Sequence, residues 1–242
     1  MWHPPAKQVT EDEYTDGQCG RCRFFYFARE DCMPHSSTGV FDSEISGNLD
    51  AEKAACRRQA VVQRAKLADA LPDAATMLAT HAARLTSRYG FGVFAGYMPI
   101  RSELSPLALL KNLVGLGCDL ALPITPQGGQ PLRFHRWEVD GLLNDGPYGT
   151  KQPPADNDKC NPDVILAPLL AFDVGGWRLG YGGGFYDRTV ASLRGFGHRV
   201  KLIGIAYEEQ KLDKVPVGPF DMPLDAVLSP AGISEFESSR KL

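Results

Sequence analysis

Residues 162–188, "PDVILAPLLAFDVGGWRLGYGGGFYDR", join an apolar run to a glycine cluster and then to a helix-forming segment. The run "DVILAPLLAF" (163–172) has the composition of a buried strand, and a helix is expected from about Gly184 to Arg194. Open α/β sheets bind ligands outside the carboxyl ends of their strands, where this loop would lie. Backbone N–H groups of Gly182, Gly183 and Gly184 can cradle an anion, helped by the helix start behind them. A tight turn is the alternative. Arg178, Tyr186 and Asp187 tilt the reading toward a site, because a turn has no need of them. The loop is neither of the two common nucleotide signatures. A dinucleotide fingerprint starting at Gly180 requires glycine at 185, where Phe185 stands. The chain also contains no Gly-Lys-Ser/Thr triplet, which weakens a phosphate-loop kinase reading.

On either side of this stretch, short apolar runs alternate with helical segments. "FGVFAGYM" (91–98), "DLALP" (119–123), "VKLIGIAY" (200–207) and "DAVLS" (225–229) read as strands, and "PLRFHRWEV" (131–139) alternates like a half-exposed strand. "SPLALLKNLVGLG" (105–117) reads as a helix with Ser105 as cap, Pro106 in the first turn and Gly117 as stop. Upstream, Asp50 can cap a helix from Ala51 to about Ala70; Pro72 then opens a second helix that runs to about Arg88 and stops at Gly90. Residues 144–162 read as a polar loop. The expected fold is therefore α/β: an open, largely parallel sheet with helices on both faces, a Rossmann-like three-layer sandwich. Residues 51–242 form that domain, preceded by an irregular extension over 1–50.

Composition narrows the function class. The 242 residues are 43% hydrophobic and 23% charged, enough apolar material for a core without disulfides. A formal charge of −3 argues against a general nucleic-acid binder. The start, "MWHPPAKQVTEDEYTDG", lacks the basic-then-apolar pattern of a signal peptide. Six cysteines are too few for a disulfide scaffold, so a cytoplasmic protein with reduced thiols and no membrane segment is expected. Cys19, Cys22, Cys32 and His35 follow a Cys-x2-Cys-x9-Cys-x2-His order that could hold zinc, with free thiols as the alternative. His135 reads as a strand residue facing solvent.

The stretch "RLGYGGGFYDR" (178–188) resembles the signature of the 5-formyltetrahydrofolate cyclo-ligase family, the methenyltetrahydrofolate synthetases. "KAACRRQ" (53–59), "YMPIRSELSPLALL" (97–110), "LALPIT" (120–125), "GPYGTKQPP" (146–154), "PDVILAPLLAFD" (162–173) and "DMPLDAV" (221–227) match in the same order. The resemblance covers about residues 50–232. It implies closure of 5-formyltetrahydrofolate, and of its polyglutamates, to 5,10-methenyltetrahydrofolate with ATP and Mg²⁺, by a monomer. The alternative is a folate- or nucleotide-binding regulatory relative without turnover.

The resemblance also implies roles. Lys53 and Arg57 match a phosphate-binding Lys-x-x-x-Arg pair, and their i,i+4 spacing puts both cations on one helical face. Arg178, Gly180, Tyr181, Gly182, Gly183, Gly184, Phe185 and Asp187 would form the ATP loop, with Arg178 and Tyr186 in the chemistry. Glu103, Tyr148, Phe185 and Tyr186 would face the folate. Asp187 and Asp225 match acidic positions near the metal. Two positions depart from the pattern: Phe185 keeps a ring but lacks the hydroxyl of the usual tyrosine, and Phe220 stands where a histidine is common. In the 146–154 loop, Gln152 and Pro153 fit, while Thr150 and Lys151 differ.

Overall fold

The computed structural model describes residues 38–127 and 129–236, with side chains from Gly47 onward. The cysteines and histidine of the possible zinc site lie outside these residues. The helices are α1 (Thr38–Ala70), α2 (Ala74–Ala79), α3 (Ala82–Tyr89), α4 (Leu107–Gly115) and α5 (Phe185–Gly195). The strands are β1 (Val93–Ala95), β2 (Asp119–Ile124), β3 (Arg133–Arg136), β4 (Asn144–Asp145), β5 (Lys151–Gln152), β6 (Lys159–Cys160) and β7 (Val164–Pro168). They continue as β8 (Ala171–Asp173), β9 (Arg178–Leu179), β10 (Lys201–Ile205), β11 (Lys211–Leu212), β12 (Ala226–Ser229) and β13 (Gly232–Glu235).

Eight strands form the main sheet in the order β13-β12-β10-β7-β1-β2-β3-β6. The five from β12 to β2 are parallel, while β13 and β3 pair antiparallel with their neighbours. The central strands are short and apolar because both of their faces are covered. Alternate residues point to opposite faces. Phe94, Leu120, Leu122, Leu166 and Ile203 join Leu78, Leu85 and Leu110 of α2, α3 and α4 in one core. Ala95, Ala121, Ile165, Ala167 and Leu202 meet Val190 of α5 in the other. Helices on both faces of a largely parallel sheet is the architecture expected from the sequence. No helix among the described residues is long and apolar enough to cross a membrane.

Local expectations differ from the fold in five places, one being α4, whose N-cap is Pro106 and not Ser105. The first helix begins at Thr38, so Asp50 lies inside α1 and does not cap it. The segment after Pro72 is two short helices, interrupted at Thr80–His81, where Thr80 Oγ1 bonds back to the Met77 carbonyl oxygen at 2.7 Å. "DVILAPLLAF" breaks after Pro168 into β7 and β8, and β8 leaves the main sheet to pair with β9 and β11. His135, expected to face solvent, is buried, and β3 is flanked by β6, a strand drawn from the polar segment.

The topology fixes where a site can form. From β1 the chain moves to β2 on one side, whereas β7 lies on the other side of β1. The strand order therefore reverses between β1 and β7, and the carboxyl ends of these two strands are where an open α/β sheet binds its ligand. The loop after β1 carries Glu103; the segment after β7 carries the glycine cluster.

Candidate active site

The glycine loop leaves the β8–β9 hairpin, whose turn is held by buried Asp173. Its carboxylate accepts from the backbone N–H of Gly175 (2.9 Å), Trp177 (3.0 Å) and Val215 (3.0 Å). α1 packs on this hairpin through Ala60 against Leu170, Ala171 and Leu179. That packing brings the cationic face of α1 to the loop. Arg57 Nε donates to the Gly180 carbonyl oxygen at 2.9 Å. Gly182 has φ +102, and a Cβ there would stand 3.2 Å from the Arg57 guanidinium carbon. Gly184, in left-handed geometry at φ 62, is the N-cap of α5 and offers no side-chain cap to the first N–H groups. Left-handed backbone and close approach to Arg57 both call for glycine here.

Lys53 stands one turn before Arg57 and pairs with Asp221 Oδ2, which also accepts from the Gly218 N–H at 2.7 Å. Arg178 is nearly buried, with 5% of its side chain exposed. It donates to the Met222 carbonyl oxygen at 2.7 Å and to Asp187 Oδ1 at 2.8 Å. Burial pulls the Arg178 pKa down, opposed by Asp187, Tyr186 and Asp221. Asp187 Oδ1 also accepts from the Met222 N–H at 3.0 Å. Arg188 closes the loop from α5: its Nη2 donates to the Gly183 carbonyl oxygen at 2.6 Å, and its guanidinium carbon lies 5.3 Å from the Phe185 ring centroid.

On the β1 side, Glu103 is buried and Oε2 accepts from the Ile100 N–H at 2.9 Å. Burial raises its pKa, opposed by that N–H and by Arg64 and Arg101. Tyr186 feels both Glu103 and Arg178, and burial pushes its hydroxyl pKa well up, so it stays a neutral donor. Tyr148, at φ 62 and 77% exposed, sets its ring 6.2 Å from Phe185 at 56°. These rings form an aromatic corner open to solvent. Tyr181 lies between two cations, with the guanidinium carbons of Arg64 and Arg101 at 5.4 and 5.5 Å from its ring.

The fold thus links Lys53, Arg57, Arg178, the 180–187 loop, Glu103, Tyr148 and Tyr186 through neighbouring contacts. It does not bring Asp225 among them. Asp225 precedes β12 at the amino ends of the parallel strands. It is held by Arg194 (2.6 Å), Lys201 (3.4 Å) and the Leu202 N–H (2.8 Å). Arg194 sits at the far end of α5, seven residues and about 10 Å from Asp187. The expected Asp187–Asp225 metal pair is therefore corrected: Asp225 braces the opposite edge, and the carboxylate that joins Asp187 near Arg178 is Asp221. No cluster of three or more metal-ligating side chains exists among the described residues. Arg64 and Asp221 are residues the sequence did not single out. An isolated arginine on a helix carries no local sign of burial, and "DMPLD" offers two aspartates with nothing to choose between them.

The family model for the 5-formyltetrahydrofolate cyclo-ligase family matches residues 49–230. The 5-formyltetrahydrofolate cyclo-ligase of Mycolicibacterium smegmatis is 34% identical over 142 residues, 55% of this chain and 71% of that protein. Its counterpart in Escherichia coli K12 is 32% identical over 147 residues, 59% of this chain and 80% of that protein. Among solved structures, the 5,10-methenyltetrahydrofolate synthetase of Aquifex aeolicus superimposes with a TM-score of 0.61 at 25% identity, covering 78% of this chain and 95% of its own. The synthetase of Mycoplasma pneumoniae gives 0.59 at 23% identity over 74% and 99%, a likeness of fold. With the family model matched over three quarters of its length, the chain belongs to the 5-formyltetrahydrofolate cyclo-ligase family.

Proposed function

We propose that the chain closes 5-formyltetrahydrofolate to 5,10-methenyltetrahydrofolate at the expense of ATP, acting as a monomer. The observation that carries the reading is the meeting of Arg57 with the 180–184 loop at the head of α5, joined through Tyr181 and Arg64 to the buried Glu103 carboxylate. Cations and unpaired helix N–H groups suit the phosphates. The buried acceptor and aromatic corner suit a flat heterocycle bearing N–H donors.

In this reading Lys53 and Arg57 grip the outer phosphates while the glycine N–H groups wrap them. The formyl oxygen attacks the γ-phosphorus, ADP leaves, and the carbon becomes an iminium phosphate. N10 of the folate then attacks that carbon, its N–H proton leaves with the departing inorganic phosphate, and the ring closes. Phosphoryl transfer asks mainly for positioning and charge stabilisation. Arg178, locked by Asp187, offers a fixed cation for the moving charge. Tyr186, neutral at working pH, donates toward the formyl oxygen. Glu103 accepts from folate N–H groups, and Tyr148 and Phe185 cover the ring.

Mg²⁺ fits as a companion of the nucleotide, since this ion is usually held by phosphates, water and one or two carboxylates. Asp187 is the carboxylate for it, with Asp221 nearby. When bound, the ion neutralises phosphate charge. A purified sample given 5-formyltetrahydrofolate, ATP and Mg²⁺ should show methenyl absorbance growing with ADP release. Binding of both ligands without product would replace this reading with that of a binding relative.

A further inference from the structure

Arg64, on α1, is 1% exposed and is the largest of the fully buried side chains among the described residues. Its Nε donates to Ser102 Oγ at 3.2 Å, its Nη1 to the Leu169 carbonyl oxygen at 3.0 Å, and its Nη2 to the Tyr181 hydroxyl. Nη1 also lies 3.9 Å from Glu103 Oε1. One guanidinium thus reaches the loop after β1, the end of β7 and the glycine loop. Desolvating a cation is expensive, and an apolar side chain would pack a helix at lower cost. The planar fork, in contrast, can hold several acceptors at fixed angles, which lysine cannot.

We propose that Arg64 is a positioning residue of the reaction, holding the Glu103 carboxylate and the glycine loop, through Tyr181, in one frame. The inference rests on the cyclo-ligase reading, in which Glu103 faces folate and the loop faces ATP. Misplacing either half by an ångström separates the formyl oxygen from the γ-phosphorus, and such errors are costly in rate. After burial and the Ile100 N–H, Arg64 is the next influence on the Glu103 charge, favouring the ionised form. The groups facing that carboxylate are Arg64 from α1, Arg101 on its own loop, Tyr97 beyond β1 and Tyr186 on α5. Of the two cations, Arg64 has the larger effect.

The test compares R64M, R64K and Y181F in the full chain, with initial rates followed from pH 5 to 8 and melting temperatures recorded. With R64M, Glu103 should protonate at higher pH, moving the acid limb of kcat/KM for folate up by about one pH unit. R64K keeps the charge and should restore the limb, yet leave kcat at least tenfold low because the fork is gone. Y181F keeps the ring and should raise the KM for ATP severalfold without moving the limb. Equal losses in R64M and R64K with an unmoved limb would reduce Arg64 to a packing residue. Wild-type KM for ATP in Y181F would break the link to the loop, even if R64M fails to fold. Wild-type protein without turnover would overturn the cyclo-ligase reading instead. The Arg64 proposal would then stand or fall on the pH dependence of 5-formyltetrahydrofolate binding in the same variants, measured by calorimetry.

Discussion

Gly182→Ala puts the glycine loop to a quantitative test. At φ +102 an alanine is strained, at a cost of about 1–3 kcal/mol. The new Cβ would lie 3.2 Å from Cζ and 3.3 Å from Nη2 of Arg57, so the guanidinium must shift by a few tenths of an ångström. Taking about 2 kcal/mol, the cost must surface in one of two places. If the free loop keeps its conformation, the melting temperature drops by about 4–8 °C. If the free loop relaxes and ATP must restore it, the ATP dissociation constant rises ~30-fold. Calorimetric titration with ATP and with 5-formyltetrahydrofolate, beside a thermal melt, separates these outcomes. Folate affinity should change less than about twofold. Gly180→Ala is the control, since nothing lies within 4 Å of its Cβ; its stability should stay within about 0.5 kcal/mol of wild type. An unchanged melt together with ATP affinity within twofold of wild type would refute the placement of phosphates against this loop.

Lys53→Ala and Arg57→Ala should each weaken ATP binding by about 1.5–3 kcal/mol, with much smaller effects on folate; equal losses for both ligands in calorimetry would count against the assignment. Asp225→Asn removes one of the partners of Arg194 and the carboxylate beside Lys201, so it should cost about 1–3 kcal/mol in denaturant unfolding and leave the Mg²⁺ dependence of the rate unchanged. Glu103→Gln should weaken folate binding and yet stabilise the fold at pH 8. Burial holds the Glu103 pKa above its ordinary value of 4.5, so the ionised form opposes folding at high pH. That penalty fades as pH falls through the raised pKa toward 4.5, and the melting advantage of the variant should fade with it. A constant offset between the two melts across this range would show that Glu103 ionisation is not its source.

Much of the sheet is readable from local pattern, because buried parallel strands are short apolar runs between turn residues. "FGVFAG", "DLALP", "KLIGI" and "AVLS" each hold a strand of the structure. What local pattern misreads are features decided by distant chain. His135 alternates like a solvent-facing strand residue, yet it is buried in a strand flanked by β6 from a later segment. Pro168 sits inside an apolar run, and the split there is set by β9 and β11 drawing β8 away. The i,i+4 spacing of Lys53 and Arg57 predicts a shared face; the identity of what that face meets depends on a contact across 123 residues. Arg64 and Asp221 are invisible for the same reason: their partners lie far along the chain. Asp225 had the right residue type and the wrong end of a strand.

Lys53, Arg57 and Arg64 all come from α1, and this helix is a single unbroken rod. Lys53 and Arg64 are eleven residues apart, about 16 Å along the axis, and three turns bring them back to within about 20° of the same face. The helix therefore acts as a gauge bar between the cation that pairs with Asp221 and the cation beside Glu103. Loops around the site can vary in length without altering that span. One residue inserted between Arg57 and Arg64 would turn the second cation by about 100° and lengthen the bar by about 1.5 Å, taking it out of register with all four of its partners at once.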